Sequence, residues 1–257
     1  MRGVAIVYAN GKEADTMPKF FVDSDEIQGN RIFLKGKNAD HLKVLRPKEG
    51  EAFTASDGSG TDYACRYASG ALEILSAAPS DSEPSVWVSV FAALPKGDKT
   101  DTIIQKSVEL GVGEIFFFAS SRCVAKQDTL GAKKKAERWN RIAEEAAMQS
   151  GRGRIPKVDW LASFSDMATE AAKSELACFL WEGEHTLSLK KALCSRAGAL
   201  RRIALVTGPE GGFSKEEAAS AASAGLYPVT VGRRILRCET APLCALTAVM
   251  YETDNLG

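Results

Sequence analysis

From residue 86 onward, apolar residues recur in short runs that alternate with amphipathic segments. Residues 86–93 form an almost continuous apolar run, typical of a strand in a sheet covered on both faces. Apolar positions at helical spacing then predict a helix over 102–110, which Gly111 ends. Strands alternating with helices predict an α/β domain with a mostly parallel sheet. The further predicted elements are strands at 114–119, 176–181, 203–206 and 227–231 and a long helix at 133–149.

The chain before residue 77 has a different pattern, in which short apolar runs are separated by turn residues. A short helix is predicted at 39–45, ending before Pro47, and residues 57–60 (DGSG) are typical of a hairpin turn. A run of short strands predicts a small β-barrel. Residues 77–84 are small, polar and bounded by prolines, which predicts a linker. The predicted strands lie at 20–22, 31–34, 51–55, 63–67 and 71–75.

Two glycine-containing loops near the C-terminus each connect a predicted strand to a predicted helix. The first is residues 208–214, where Ser214 and Glu217 have capping-box spacing; the second is 232–239, before a helix that Thr240 can cap. Loops at the same ends of parallel strands face one crevice, where small ligands bind. Taken alone, the first loop fits an ordinary glycine turn before a capped helix equally well. The second loop favours a ligand site.

The kind of ligand follows from what these loops lack and what they offer. Neither GxGxxG nor GxxxxGK[ST] occurs, so the fingerprints for dinucleotides and nucleoside triphosphates are missing. Backbone donors and acceptors, apolar walls and Arg237 suit an adenosine-like ligand with little phosphate. Cys238 lies in the second loop as a small loop residue; a nucleophilic role is the alternative, although neither histidine is near it in sequence.

The composition is that of an ordinary globular protein, and it limits the possible classes. The chain has 257 residues, 45% of them hydrophobic and 26% charged, and no apolar run long enough to span a membrane. Residues 1–16 have no clear signal-cleavage site, so they are expected to be a leader or extension. Six scattered cysteines without CxxC, together with only two histidines, predict no metal site and a cytoplasmic protein with reduced thiols.

Positive charge is concentrated locally although the net charge is zero. Residues 121–157 contain ten basic and four acidic residues, an excess that could meet phosphates. For the portion 133–141, a solvated helix face is the alternative interpretation. The segment 151–154 (GRGR) is different, because arginines between glycines in a turn have no role in helix solubility.

Several motifs, in order along the chain, resemble those of the RsmE-type 16S rRNA (uracil-N3) methyltransferases of the SPOUT superfamily. The resemblance covers about residues 17–254 and is highly specific. The matching segments are 18–21 (PKFF), 41–46 (HLKVLR), 94–99 (LPKGDK), 105–112 (QKSVELGV), 149–156 (QSGRGRIP), 207–212 (TGPEGG) and 232–241 (GRRILRCETA).

The resemblance implies a particular fold and function. The expected fold is an N-terminal PUA-like β-barrel over 17–78 that binds RNA, followed by a C-terminal SPOUT α/β methyltransferase domain over 85–257. In that fold the C-terminal segment forms a deep trefoil knot, an exception to the usual unknotted topology. The expected protein is a homodimer that binds S-adenosyl-L-methionine in the knot loops. Its expected partner is 16S rRNA or the small ribosomal subunit, where N3 of one uridine is methylated, and no membrane is involved.

The resemblance also assigns site residues. Arg237 is the candidate for stabilising the uracil anion, and Glu239 is the candidate base that removes the N3 proton. Glu210 is a second candidate base, and either glutamate could instead bind backbone donors. The expected cofactor-binding residues are Leu180, Trp181, Thr207, Gly208, Glu210, Gly211, Gly232, Ile235, Leu236, Arg237 and Leu243.

RNA contacts are expected from basic residues of both domains, because a flipped base must be held near the cofactor. For Lys96 and Lys99, an ordinary polar loop is the alternative. Other SPOUT targets, in rRNA or tRNA, remain possible, as does a non-catalytic RNA-binding assembly factor; a nicotinamide enzyme is disfavoured by the missing fingerprint. The expected RNA-binding residues are Lys19, Arg46, Lys96, Lys99, Arg152 and Arg154.

Overall fold

The computed structural model of the protein describes residues 18–123, 129–184, 186–195 and 200–256. These residues divide into two compact units. The first comprises residues 18–83 together with Ala147–Ile155, and the second comprises the described parts of Pro84–Ala146 and Pro156–Gly257. The predicted leader, residues 1–16, lies outside the described residues.

The first unit contains a six-stranded sheet in the order β1-β4-β5-β6-β3-β2, which is antiparallel except where β1 pairs with β4. Phe20, Phe53 and Leu72 project from three of its strands into one apolar core. The helix of this unit closes that core with Leu42. Its elements are β1 (Lys19–Phe21), β2 (Ile27–Gln28), β3 (Arg31–Ile32), α1 (Gly36–Leu45), β4 (Ala52–Ser56), β5 (Thr61–Ala68) and β6 (Ala71–Pro79).

The predicted linker at 77–84 contains the end of β6 and also the boundary between the two units, which falls between Glu83 and Pro84. Its first residues belong to β6, because Ala77 and Pro79 pair with β5. Beyond the strand, Ser82 Oγ donates to the carbonyl of Gly151 over 3.0 Å. The pattern did not predict this order, because the partner of Ser82 lies in a segment that is distant in sequence.

The second unit contains a six-stranded, wholly parallel sheet in the order β12-β10-β11-β7-β8-β9. This confirms the predicted α/β class. Its elements are β7 (Trp87–Ala93), α2 (Lys99–Glu109), β8 (Glu114–Phe118), α3 (Thr129–Gln149), β9 (Lys157–Leu161), α4 (Phe164–Ala171), β10 (Leu176–Leu180), α5 (Leu189–Cys194), β11 (Arg202–Thr207), α6 (Lys215–Ser223), β12 (Tyr227–Val229) and α7 (Thr240–Glu252).

Burial explains which of these elements the pattern predicted. β7 and β11 are central strands, almost entirely buried, and their apolar runs are visible in the sequence. β9 is an edge strand with only one fully buried residue, so its pattern gave no signal. β12 contains Pro228 and ends at Val229, two residues earlier than predicted; it too is an edge strand, where proline is tolerated.

The two predicted helix starts in the C-terminal loops have different outcomes. The capping box at Ser214 is confirmed, since its hydroxyl accepts from Glu217 N and the Glu217 carboxylate accepts from Ser214 N. The prediction that Thr240 caps α7 was wrong: Thr240 is the first helical residue, and Glu239 occupies the N-cap position without a side-chain cap. Over the described part of the chain, no helix is both long and apolar enough to cross a membrane.

Candidate functional site

The two glycine-containing loops meet at one edge of the parallel sheet. β11 and β12 both pair in parallel with β10, so the loops that follow them leave from the carboxyl ends of the two strands that flank β10. A cavity of about 480 Å³ lies between these loops. This volume is within the usual range for small-molecule and cofactor sites.

Most of the residues expected to bind a cofactor line this cavity. Thr207, Gly211 and Leu243 do not. Thr207 is fully buried, with its hydroxyl 3.5 Å from the Phe91 carbonyl; Gly211 lies beside Arg122, which donates to its carbonyl over 2.9 Å. The expected residues that line the cavity are Leu180, Trp181, Gly208, Glu210, Gly232, Ile235, Leu236 and Arg237.

Other cavity residues were not predicted from the sequence. Glu182 lines it, and a Cβ at Gly212 would lie 2.8 Å from Glu182 Oε1, so the carboxylate sits against a glycine with φ +63°. A signal for Glu182 existed, because it directly follows a predicted strand at the sheet edge where the loops converge. Arg233, Arg234 and Cys238 also line the cavity.

The second loop presents unpaired backbone to the cavity. Gly232 has φ +125°, a conformation that side-chain-bearing residues rarely adopt. Over residues 233–237, no peptide N–H donates a hydrogen bond to any described residue. A row of free donors at a cavity wall binds hydroxyl, carboxylate or ring-nitrogen acceptors of a ligand.

A single ammonium group connects three loops around the cavity. Lys99, the first residue of α2, places its Nζ 2.8 Å from Glu210 Oε1 and 3.6 Å from Glu239 Oε2. The peptide N–H of Lys96 donates to the same Glu210 oxygen over 3.0 Å. Lys99 therefore joins the loop after β7 to the loops after β11 and β12. Lys99 was expected to contact RNA, but these ion pairs favour a role within the cavity wall.

These contacts fix the charge states of the groups concerned. Burial favours a higher pKa for Glu210, but hydrogen bonds from Lys99 and the Lys96 backbone outweigh it and lower that pKa to about 2. The hydrogen bond to Glu210 raises the pKa of Lys99 above its usual range. Burial, reinforced by the neighbouring carboxylate of Glu239, raises the pKa of the Cys238 thiol to about 12. The thiol is therefore protonated at neutral pH, which disfavours a nucleophilic Cys238.

The contacts of Glu239 favour a structural role over the role of a base. A hydrogen bond from its own backbone lowers its pKa, with further contributions from the Cys238 thiol, 3.2 Å away, and from Lys99. A carboxylate with a lowered pKa is a weak base. Glu210 accepts a hydrogen bond from a backbone donor, the peptide N–H of Lys96, and this is the alternative role that was considered for it.

Arg237, by contrast, is exposed at the cavity. Its backbone carbonyl accepts the N–H groups of Thr240 and Ala241, both over 2.9 Å, and so supports the start of α7. Among the described residues, its guanidinium has no carboxylate within ion-pair distance. A free cation at the cavity is available to a developing negative charge.

The residues expected to bind RNA divide into engaged and exposed ones. In the first unit, Arg152 is 3% exposed and holds Glu83 through two hydrogen bonds, and Lys19 binds Asp62 over 2.9 Å with its side chain 10% exposed. Their charges are used inside the fold, so neither is placed to grip phosphate. Arg154 is partly exposed and 4.0 Å from Glu83. Arg46 and Lys96 are exposed.

A parallel α/β sheet with a backbone-lined cavity at its carboxyl edge is the architecture of a cofactor-binding domain. Residues 82–250 match the family described as "RNA methyltransferase domain". The class that fold, cavity and match define together is an RNA methyltransferase.

Curated relatives and a solved structure narrow this class. "Ribosomal RNA small subunit methyltransferase E" of Bacillus subtilis is 32% identical over 93% of this chain and 98% of its own length. The protein of that name from Mycobacterium bovis is 31% identical over 92% of both chains. The Neisseria gonorrhoeae enzyme of that name, solved bound to S-adenosyl methionine, superposes with a TM-score of 0.75 at 31% identity, covering 91% of this chain and 97% of its own. The chain belongs to the ribosomal RNA small subunit methyltransferase E family, which confirms the predicted family.

Proposed function

We propose that this chain transfers the methyl group of S-adenosyl-L-methionine to N3 of a specific uridine in 16S rRNA. The observation that supports this most directly is the cavity between the loops after β11 and β12, with its free peptide N–H groups. The chain carries this cavity within a family whose named members act on ribosomal RNA of the small subunit.

The residues around the cavity fit this cofactor. Leu180, Trp181 and Leu236 supply apolar walls for an adenine ring, and the peptide groups of 233–237 supply donors for its ring nitrogens or for a carboxylate. The Glu182 carboxylate can accept hydrogen bonds from ribose hydroxyls or an ammonium group. The cavity of about 480 Å³ is large enough for a folded cofactor of this size.

The chemistry divides between cofactor and protein. When bound, the cofactor supplies an electrophilic methyl group on a sulfonium whose leaving group is neutral. Uracil N3 must lose its proton, and the resulting charge spreads over two carbonyl oxygens. We assign the stabilisation of that anion to Arg237, and its position in the cavity wall supports this assignment. Glu239 and Glu210 hold Lys99 and the Lys96 backbone in place, so we assign them to loop geometry and leave proton removal to solvent at the cavity mouth.

The finer description of the fold is also a proposal. We assign the sheet of the first unit, over 17–78, to a PUA-like barrel, and 85–257 to a SPOUT domain in which α7 completes a trefoil knot. The packing of α7 against α2, α5 and β11 supports this assignment. A crystal structure whose backbone trace around α7 is unknotted would contradict it.

We further propose a homodimer that acts in the cytoplasm on 16S rRNA or the small subunit. α7 carries an outward face that includes Cys244, Thr247 and Tyr251, the last with 71% of its side chain exposed. A second copy of the chain would cover this face. Sedimentation velocity showing a monomer at micromolar concentration would contradict the dimer.

The test of the function is mapping of the modified nucleotide. Small-subunit rRNA from a strain lacking this gene, incubated with the purified protein and cofactor, should gain one methyl group on a uridine, located by mass spectrometry of RNase fragments. Methylation of another rRNA or of tRNA would reassign the substrate. No cofactor binding by calorimetry would leave only an RNA-binding assembly factor.

The catalytic assignment is tested with Arg237→Ala. We expect kcat to fall at least a hundredfold, as for the loss of one group that stabilises a developing anion, while RNA affinity changes much less. Arg201→Ala, an exposed arginine before the amino end of β11, is the matched control and should behave like the parent. Equal losses of kcat and RNA affinity in Arg237→Ala would make Arg237 a positioning residue.

A further inference from the structure

Two adjacent arginines line the cavity and take no part in the ion pairs of the described residues. Arg233 and Arg234 are exposed and line the cavity on the loop after β12. Among the described residues, neither guanidinium has a carboxylate within ion-pair distance. Water screens the repulsion between two exposed charges, so the pair is tolerated in the fold and, at the wall of a cavity, both guanidinium groups are available to an anionic ligand.

The other charged groups of the cavity do not supply this compensation. Glu210 is held by Lys99 at 2.8 Å, and Glu239 also faces Lys99 at 3.6 Å. Glu182 lies against Gly212, on the loop after β11. The charges of the two arginines are therefore available to an anionic ligand that is not part of this chain.

The proposed cofactor does not account for them either. S-adenosyl-L-methionine has a sulfonium, an ammonium and a single carboxylate, so its net charge is positive, and two further cations would not improve its binding. Arginine's planar guanidinium matches phosphate through paired hydrogen bonds. The charge and the donor geometry both fit a polyanion with phosphates spaced along it.

The residue beside them fits the same partner. Ile235 has 85% of its side chain exposed, an unusual position for a large aliphatic group in the middle of a basic loop. An apolar side chain between cations offers a surface on which an unstacked base can rest while the adjacent phosphates are held. A protein partner would require a larger apolar patch than one isoleucine.

We propose that Arg233 and Arg234 form the rim that grips the RNA substrate, binding the phosphates next to the nucleotide that enters the cavity. This inference rests on the proposed function and specifies which residues of that site hold the RNA. It moves the phosphate contact away from Lys19, Arg152 and Lys99, whose charges carboxylates already compensate.

The experiment compares two double variants that remove the same charge. Arg233→Gln/Arg234→Gln removes the rim. Arg201→Gln/Arg202→Gln removes an adjacent arginine pair at the amino end of β11, where Arg202 lies 4.0 Å from Glu114. For each protein, the affinity for a fluorescent oligouridine is measured by anisotropy across roughly 50 to 200 mM KCl, and cofactor affinity by calorimetry.

The expected result is specific to the rim. The slope of log affinity against log salt should become less negative by about 1 to 1.5 in the rim variant, since each lost contact with single-stranded RNA contributes about 0.7. The control should keep the parent slope, and both variants should keep the parent cofactor affinity.

An equal change of slope in both variants would show only a general charge effect and overturn the proposal. A weaker cofactor affinity with an unchanged slope would assign the arginines to the cofactor instead. Failure of the parent protein to bind the cofactor would refute the proposed function, and it would be seen independently of the RNA slopes.

Discussion

Arg152 and Arg234 each lie just after a glycine with positive φ, Arg152 one residue after Gly151 and Arg234 two residues after Gly232, yet the two arginines have opposite environments. Gly151 has φ +71° and Gly232 has φ +125°, so both loops turn through conformations that favour glycine. Arg152 is buried, with its guanidinium bound to Glu83. Arg234 is exposed at the cavity without a carboxylate partner in the described structure.

The difference comes from a residue far away in sequence. Glu83 lies 69 positions before Arg152, and its Oε1 also accepts the peptide N–H groups of Gly153 and Arg154 over 3.0 and 3.1 Å. One carboxylate thus organises the whole turn. Local composition marks both turns as basic, but only the presence of a distant acceptor separates a structural arginine from a ligand-binding one.

Loss of the buried pair should have the largest effect. Arg152→Met leaves the largely buried Glu83 carboxylate with only the more distant Arg154, 4.0 Å away, which should lower the free energy of unfolding by about 3 kcal/mol. Arg234→Met, an exposed site, should change it by less than about 0.5 kcal/mol. Urea denaturation followed by circular dichroism measures both.

One result would contradict the expected difference in stability between the two variants. If Arg152→Met is as stable as Arg234→Met, Glu83 does not depend on its partner. The double variant Arg152→Met/Glu83→Gln serves as a control, since removing both charges should recover part of the loss.

Central elements and turn glycines were predictable because they follow from local pattern. The buried strands β7 and β11, the capping box at Ser214 and the position of both C-terminal loops could be predicted from residue spacing alone. The edge strand β9 could not, since its residues are only partly buried. Eight of the cofactor residues that the family motifs suggested do line the cavity, because loop position along parallel strands is set by the chain order.

Charge partners could not be predicted, because they depend on tertiary contacts. Lys99 and Glu210 are 111 residues apart, and nothing in either segment indicates the other. The same holds for Lys19 and Asp62. A lysine expected to meet RNA and a glutamate considered as a cofactor ligand, a base or an acceptor of backbone donors therefore form an ion pair with each other.

The Lys99 contact gives the next largest expected effect, and it tests whether a compensated cation acts within the cavity wall. Lys99→Met leaves the carboxylates of Glu210 and Glu239 facing each other without the ammonium between them. Their repulsion should spread the two loops and weaken cofactor binding about tenfold, which corresponds to roughly 1.4 kcal/mol. Isothermal calorimetry measures the dissociation constant.

A second variant distinguishes positioning from direct contact. In Lys99→Met/Glu210→Gln one of the repelling charges is removed, so cofactor affinity should recover at least in part. If the affinity stays low, Lys99 contacts the ligand itself. If Lys99→Met keeps full cofactor affinity but loses RNA affinity, the original expectation of an RNA contact is restored.

The smallest expected effect concerns pH and compares Glu210 with an uncharged side chain. Because the folded-state pKa of Glu210 is lowered from 4.5 to about 2, its ionisation stabilises the fold fully above pH 4.5, and the contribution is lost progressively as pH falls toward 2. Glu210 and Lys99 are each about a third exposed, so solvent screening reduces the contribution to about 1 kcal/mol.

The parent should therefore be more stable than Glu210→Gln at pH 6, and the difference in the free energy of unfolding should narrow steadily in urea titrations down to pH 3. In the Lys99→Met background the narrowing should be smaller, since the hydrogen bond from Lys99 is the largest of the contributions that lower the pKa of Glu210 and the backbone hydrogen bonds remain. A gap of constant size from pH 6 to pH 3 would mean that hydrogen-bond geometry, and not charge, joins these loops.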